Sequence, residues 1–186
     1  MPEKFKNKYR ISSARLQNWD YRWDGAYFIT ICTQNRENYF GNIVDGNMEL
    51  SSMGIIADIM WHEIKNHARN VELDAFVVMP NHVHGILVLT GNSVETGHAL
   101  SLPSSPPQKQ PTTIGQKRFQ NIGKNSISSI IGSYKSAVSK HTHRLGFDFQ
   151  WQSRFHDHII RDGKSFQNIR NYIFENPLNW QNDELK

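Results

Sequence analysis

At 186 residues, with 38 % hydrophobic content, the chain suits one domain over 1–186 with one sizeable core. No apolar run could span a bilayer and no apolar signal segment follows Met1, which points to a cytoplasmic protein, and the lone Cys32 excludes an intrachain disulfide and a Cys-based zinc site. The net charge is +4, but Thr96–Phe147 holds no Asp or Glu and carries +7 through Lys109, Lys117, Arg118, Lys124, Lys135, Lys140 and Arg144, so the remainder sits at −3, the difference between the two.

Such a one-sided basic segment is a footprint for phosphates, against the plainer reading of a solvated helix and loop. Along residues 1–24, Lys4, Lys6, Lys8, Arg10, Arg15 and Arg22 interleave with Phe5, Tyr9, Trp19, Tyr21 and Trp23. That mixture suits either phosphate contact with base stacking or an arm covering a sheet. Tyr27–Thr33 reads as a strand, Gln34–Phe40 as a loop, and Ile43–Leu50, around Asp45-Gly46-Asn47, as a small inserted hairpin. Ser51 or Ser52 caps a helix expected to run to about His67, with Ile55, Ile59 and Ile64 among its apolar positions.

Two apolar runs follow, Ala75–Met79 and Gly85–Leu89, with Pro80-Asn81 as the turn between them. His82 and His84 head the second run. Residues i and i+2 of a strand share a face, so both imidazoles project together while Val83 points away. Two neutral imidazoles side by side are half of a metal site, or else a structural pair whose ring nitrogens find protein partners. A third ligand must come from elsewhere in the chain.

Gly91–Asn125 holds LPSSPPQKQP and little periodicity, and reads as a long disordered or mobile loop insertion over 91–125. A helix is expected from near Ser126 to before Gly146, with Ile127, Ile130, Ile131, Tyr134 and Val138 at helical spacing. Phe155–Arg161 reads as a further strand. Asp162-Gly163 then leads into a helix over Ser165–Glu175, stopped by Pro177. With the hairpin set aside the order is β-α-β-β-α-β, an α+β ferredoxin-like core. In that topology the first and third core strands occupy the middle of an antiparallel sheet, which puts His82 and His84 on a rigid central strand.

On the last helix Phe166, Ile169 and Ile173 form the apolar stripe, and Tyr172 and Asn176, four apart, neighbour each other along its edge. A residue before proline is pushed away from helical geometry, so Asn176 is expected at the helix end with its amide oxygen free to reach a metal. Tyr172 is then either a nucleophile beside the cation or an amphipathic residue at the edge of a core.

The stretches HVH, RFHDHIIRD and RNYIFENPLNW, with YFITICTQNRENYFG near the front, resemble the HUH-type single-tyrosine transposases, the REP-associated tyrosine transposase group in particular. The resemblance runs from about residue 20 to 180 and fails over 91–125. It implies a metal-dependent single-stranded DNA endonuclease and strand transferase acting on hairpin DNA. His82 and His84 match the paired metal ligands, Asn176 the third ligand and Tyr172 the nucleophile of a 5′-phosphotyrosine intermediate. It also implies a divalent cation, Mg²⁺ or Mn²⁺, with the helix that carries Tyr172 at the C-terminal end of the ferredoxin-like core. The protein is expected to act as a monomer or homodimer, with no membrane partner.

Other histidines and tyrosines compete for these roles. His141 and His143 belong to a helix, where i and i+2 do not share a face. His156 and His158 share a strand face, and His158 is a candidate to orient a ligand or the phosphate. Tyr134 fits the apolar stripe of its helix. DNA contact is expected of Lys109, Lys117, Arg118, Lys124, Lys135 and Lys140. Two readings from other classes stand beside the enzyme: a non-catalytic module binding single-stranded nucleic acid on a ferredoxin-like sheet, and a metal hydrolase working through bound water, for which neither HExxH nor Cys ligands are present.

Overall fold

The computed structural model describes residues 19–91 and 126–186. The chain before Trp19 and nearly all of the expected insertion, with Lys109, Lys117, Arg118 and Lys124, lie outside the described residues.

Val and Ile alternating with small or polar residues build four strands: β1 (Gly25–Cys32), β4 (Val71–Val78), β5 (His82–Leu89) and β6 (His156–Ile160). They form one antiparallel sheet in the order β4-β5-β1-β6. Between β1 and β4 come a separate hairpin, β2 (Gly41–Val44) and β3 (Asn47–Leu50), and two short helices, α1 (Ser52–His62) and α2 (Ile64–His67). α3 (Ile127–Arg144) precedes β6, and α4 (Gly163–Glu175) follows it. Apart from the hairpin this is the expected β-α-β-β-α-β core, with its first and third strands, β1 and β5, in the middle of the sheet. Among the described residues no helix is long and apolar enough to cross a membrane.

The period-two alternation of β5 sorts its side chains between two cores. Val83, Leu87 and Leu89 join Tyr27, Ile29 and Ile31 of β1 in the larger cluster, closed by Trp61, Ile64, Ile131, Tyr134 and Val138 from α1 to α3. Ile86 and Val88 join Ala26, Ile160 and Ile173 in a smaller cluster under α4, where Phe166 and Ile169 also pack. His82 and His84 share this second face.

Local signals set most element ends. Asp45 (φ 50°) and Gly46 (φ 76°) supply the paired left-handed conformations that a tight two-residue hairpin turn needs. Ser51 caps α1 by accepting from the Gly54 N–H at 3.1 Å, Ser126 caps α3 from the Ser129 N–H at 3.2 Å, and Asp162 caps α4 from the Ser165 N–H at 2.8 Å.

Three expectations are corrected. The helix after Ser51 is broken at Glu63, and its buried positions are Gly54, Ala57, Trp61 and Ile64, while Ile55 and Ile59 are each 48 % exposed. The phase is set from the sheet: a Cβ at Gly85 would lie 2.2 Å from Trp61 Cζ2, so only glycine lets the indole lie on β5 and stack on Phe76 at 4.7 Å. The strand expected at Ala75–Met79 begins earlier, at Val71, through a bulge between Leu73 and Phe76, where Asp74 pairs with Arg170 of α4 at 3.0 Å. Asn176 does stand at the end of α4, as its C-cap, but it keeps helical geometry (φ −57°, ψ −43°) in spite of Pro177, because the Asn179 N–H bonds back to the carbonyls of Glu175 and Asn176, both at 3.1 Å, and prolongs the turn.

Candidate functional site

The Pro80-Asn81 turn is closed by the Met79 N–H on the His82 carbonyl at 2.8 Å and is held from β1 by Thr33, whose N–H and hydroxyl both donate to the Asn81 carbonyl at 2.9 Å. This fixes the start of β5 opposite the end of β1, pairing Cys32 with His82 and Thr30 with His84. The two imidazoles are 0 % and 2 % exposed, with ring centroids 4.4 Å apart.

Each ring is oriented by its Nδ1. His82 Nδ1 lies 2.7 Å from Asn81 Oδ1, and His84 Nδ1 lies 2.9 Å from Thr30 Oγ1. We assign the Nδ1–H tautomer to both, since an amide oxygen can only accept and the hydroxyl can accept as well. That leaves the two Nε2 lone pairs facing the pocket. Burial pushes the pKa of each imidazole down to about 3, with the Arg36 charge adding to the effect at His82 and His82 adding to it at His84. Both rings are therefore neutral at pH 7, the form that binds metal.

α4 supplies the opposite wall. Its apolar stripe seats it on the smaller core and brings Tyr172 against His84, with Asn176 one turn further along the same edge. Tyr172 Oη lies 3.3 Å from His84 Nε2 and its side of the pocket stays open, the residue being 45 % exposed. Phe28 sits edge-on to Tyr172 at 6.1 Å and beside His84 at 5.1 Å, limiting the movement of both rings. Burial raises the phenol pKa, the Asp183 and Glu184 charges raise it further, and a hydrogen bond with Asn176 opposes them.

The chain beyond α4 folds back over the pocket, with the Trp180 ring 6.1 Å from that of His82. It brings in Asp183, which sequence reasoning missed. The Asp183 side chain is 4 % exposed and its Oδ2 lies 3.9 Å from His82 Nε2, beyond hydrogen-bonding distance. Three buried atoms here, His82 Nε2, Asn176 Oδ1 and Asp183 Oδ2, have no hydrogen-bond partner. Ligand atoms of His82, His84 and Asp183 all lie within 4.8 Å of one another. Buried polar atoms without partners are costly. Nitrogen and oxygen donors crowded in this way fit a divalent cation.

Of the other residues singled out in the sequence, Tyr134, Lys135, Lys140 and His143 lie on α3 and His158 on β6, with Tyr134 in the core as its stripe predicts. His158 is exposed and pairs across the sheet with Phe28, so it is displaced from His84 by one strand. His143 donates through Nε2 to the Phe149 carbonyl at 2.8 Å, and Tyr134 is buried with its hydroxyl donating to the Ala57 carbonyl at 3.1 Å. Lys135 directs its ammonium to the Gln152 carbonyl at 2.6 Å, whereas Lys140 is exposed on α3. Trp19 and Tyr21 pack on the larger core, with the Trp19 indole N–H donating to Tyr27 Oη at 3.0 Å. An apolar groove of about 620 Å³ between the α1–α2 segment and α3 includes Ile59, Met60, Ile64 and Ile130 and holds none of the histidine-site residues.

No protein-family model matches the chain. It is 36 % identical over 174 residues to an uncharacterised protein of Haemophilus influenzae, covering 93 % of this chain and 91 % of that one. A REP-associated tyrosine transposase, solved bound to a REP hairpin, superposes over 91 % of this chain and 74 % of its own with a TM-score of 0.57 and 23 % identity. The chain belongs to the family of the Haemophilus influenzae protein and has the fold of a REP-associated tyrosine transposase. A Deinococcus radiodurans structure aligns only loosely, at a TM-score of 0.40 with 14 % identity. The transposase likeness read from the HVH and NYIFENP motifs thus has a counterpart in the fold, on which the histidine pair occupies a central strand and the tyrosine a helix across from it.

Proposed function

We infer that the protein is a metal-dependent single-stranded DNA endonuclease and strand transferase that acts on hairpin DNA through a 5′-phosphotyrosine. The observation that carries the reading is the placement of the Tyr172 hydroxyl 3.3 Å from His84 Nε2, in a pocket where the buried donor atoms of His82 and Asn176 lack partners. Hairpin DNA enters because the transposase that shares this fold was solved with a REP hairpin.

His82, His84 and Asn176 would hold the cation, with Mg²⁺ or Mn²⁺ suited to the mixed nitrogen and oxygen donors. The ion supplies Lewis-acid polarisation of the scissile phosphodiester. The chain does the rest. Asn81 and Thr30 hold the imidazoles in the tautomer whose Nε2 faces the pocket. Nε2 of His84 has one lone pair, so if it held the cation it would no longer accept from the Tyr172 hydroxyl. Tyr172 Oη then forms a bond to phosphorus as the bond from phosphorus to the 3′ oxygen breaks, and the phenol loses its proton as the departing oxygen gains one. Attack by a 3′-hydroxyl on the phosphotyrosine reverses the step and joins strands. The half-exposed position of Tyr172 leaves it reachable by DNA.

The test uses a labelled single-stranded hairpin with Mn²⁺, resolved on a denaturing gel. Wild type is expected to give a nicked strand and a protein-linked band. Tyr172→Phe should bind the hairpin and give neither, and Tyr134→Phe should give both. A linked band that survives Tyr172→Phe would place the nucleophile elsewhere. Binding without nicking by wild type on every hairpin tried would leave a nucleic-acid-binding module.

A further inference from the structure

We propose that Asp183, from the segment after α4, is a ligand of the same metal ion, so that the chain downstream of the tyrosine helix completes the metal site. The inference rests on the metal reading given above and adds a fourth donor to it.

Three observations converge. First, the two oxygens of Asp183 have different surroundings. Oδ1 accepts the Leu185 N–H at 2.7 Å, while Oδ2 is buried without a partner and lies 3.9 Å from the equally unpartnered His82 Nε2. A carboxylate oxygen in that position needs a cation, because a neutral imidazole nitrogen offering a lone pair repels it. Second, the segment is held in place from two sides. Asn81 Nδ2 donates to the Leu185 carbonyl at 2.8 Å, and Arg36 Nη1 donates to the Glu184 carbonyl at 2.7 Å. Asn81 is the residue whose Oδ1 orients His82, so one side chain positions both the imidazole and the segment that carries the acid. Third, the donors become balanced. Two imidazole nitrogens, the Asn176 amide oxygen and one carboxylate oxygen give two nitrogen and two oxygen ligands with a single negative charge. That set suits Mn²⁺ or Mg²⁺ better than two histidines and an amide alone, since hard cations favour anionic oxygen.

The competing view is that Asp183 is only an anchor for the segment. The two are separated by Mn²⁺ titration calorimetry and by thermal melts in chelator, on the full chain. Removing even an outer partner of a metal ligand costs about 10–100-fold in affinity. Asp183→Asn is therefore expected to weaken Mn²⁺ binding by at least about tenfold, and to melt in chelator at or above the wild-type temperature, because the uncompensated carboxylate is gone. Glu184→Gln, which alters an exposed acid next to it, should bind Mn²⁺ as wild type does. If Asp183→Asn perturbs the segment, Asp183→Ala read in the same two ways serves in its place. Wild-type Mn²⁺ affinity in both Asp183 variants, with binding lost in the His82→Ala/His84→Ala double variant, would overturn this inference and leave the metal reading standing. Absence of Mn²⁺ binding in wild type would overturn both.

Discussion

At the scale of single residues, the proposed function turns on which ring nitrogen is held. His84 could serve as a ligand through Nε2 only while Nδ1 is the protonated nitrogen, and Thr30 Oγ1 at 2.9 Å favours that tautomer. Thr30→Val keeps the shape of the side chain and removes the hydroxyl, leaving a buried Nδ1 without a partner. Mn²⁺ affinity measured by calorimetry should fall by about 10–100-fold, the range for loss of an outer partner. Thr30→Ser, which restores the hydroxyl, should recover most of it. Equal affinity in all three proteins would show that the tautomer is set by something other than Thr30.

At the scale of elements, the sheet works as a partition. The odd positions of β5 face the large core, while the even ones give the smaller core Ile86 and Val88 and the candidate site His82 and His84, so a strand with no exposed residue still presents polar groups on one face. Gly85 shows how closely the two sides are coupled. It lies next to His84 in sequence but on the opposite face, where Trp61 occupies the space a side chain would need. Trp61 is wholly buried, stacked on Phe76 and edge-on to Tyr134 at 5.4 Å, and has nowhere to retreat. Gly85→Ala should therefore destabilise by about 1–3 kcal/mol, the usual cost of overpacking. For a domain of this size that corresponds to a fall in Tm on the order of 2–12 °C in a calorimetric scan. A melt within a degree of wild type would mean that the α1 contact is looser than its geometry.

At the scale of the whole molecule, two neutral histidines in the middle of the sheet make stability depend on pH. Each has a pKa near 6.5 when exposed and about 3 when folded, so between these values the unfolded chain binds protons that the folded chain refuses. Stability from this source is complete above about pH 6.5 and is lost progressively as the pH falls toward 3. Denaturant titrations of the chelated protein at pH 7.5, 6 and 5 should show the decline. The His82→Gln/His84→Gln variant should lose the part of it that lies above the carboxylate range. A double variant with an unaltered slope would assign the acid sensitivity to other groups.

Much of this protein was legible locally. Period-two alternation marks the strands, Ser51, Ser126 and Asp162 mark helix starts, and the order of elements together with the HVH and NYIFENP stretches indicates both the fold and where to look for the site. These signals are readable because each repeats over a few residues of backbone geometry. The phase of α1 was not readable that way: Ile55 and Ile59 look like core by composition, and only the gap left at Gly85 on a neighbouring strand selects Trp61 instead. Asp183 was hidden for the same reason. In sequence it is one acid in QNDELK, with no periodicity and no histidine near it. It reaches His82 because Asn81 and Arg36, more than a hundred residues earlier, hold the backbone beside it. Contacts across such separations leave no repeating mark in the chain, so the partner of a buried group is decided only when the sheet, the helix and the returning segment close around it.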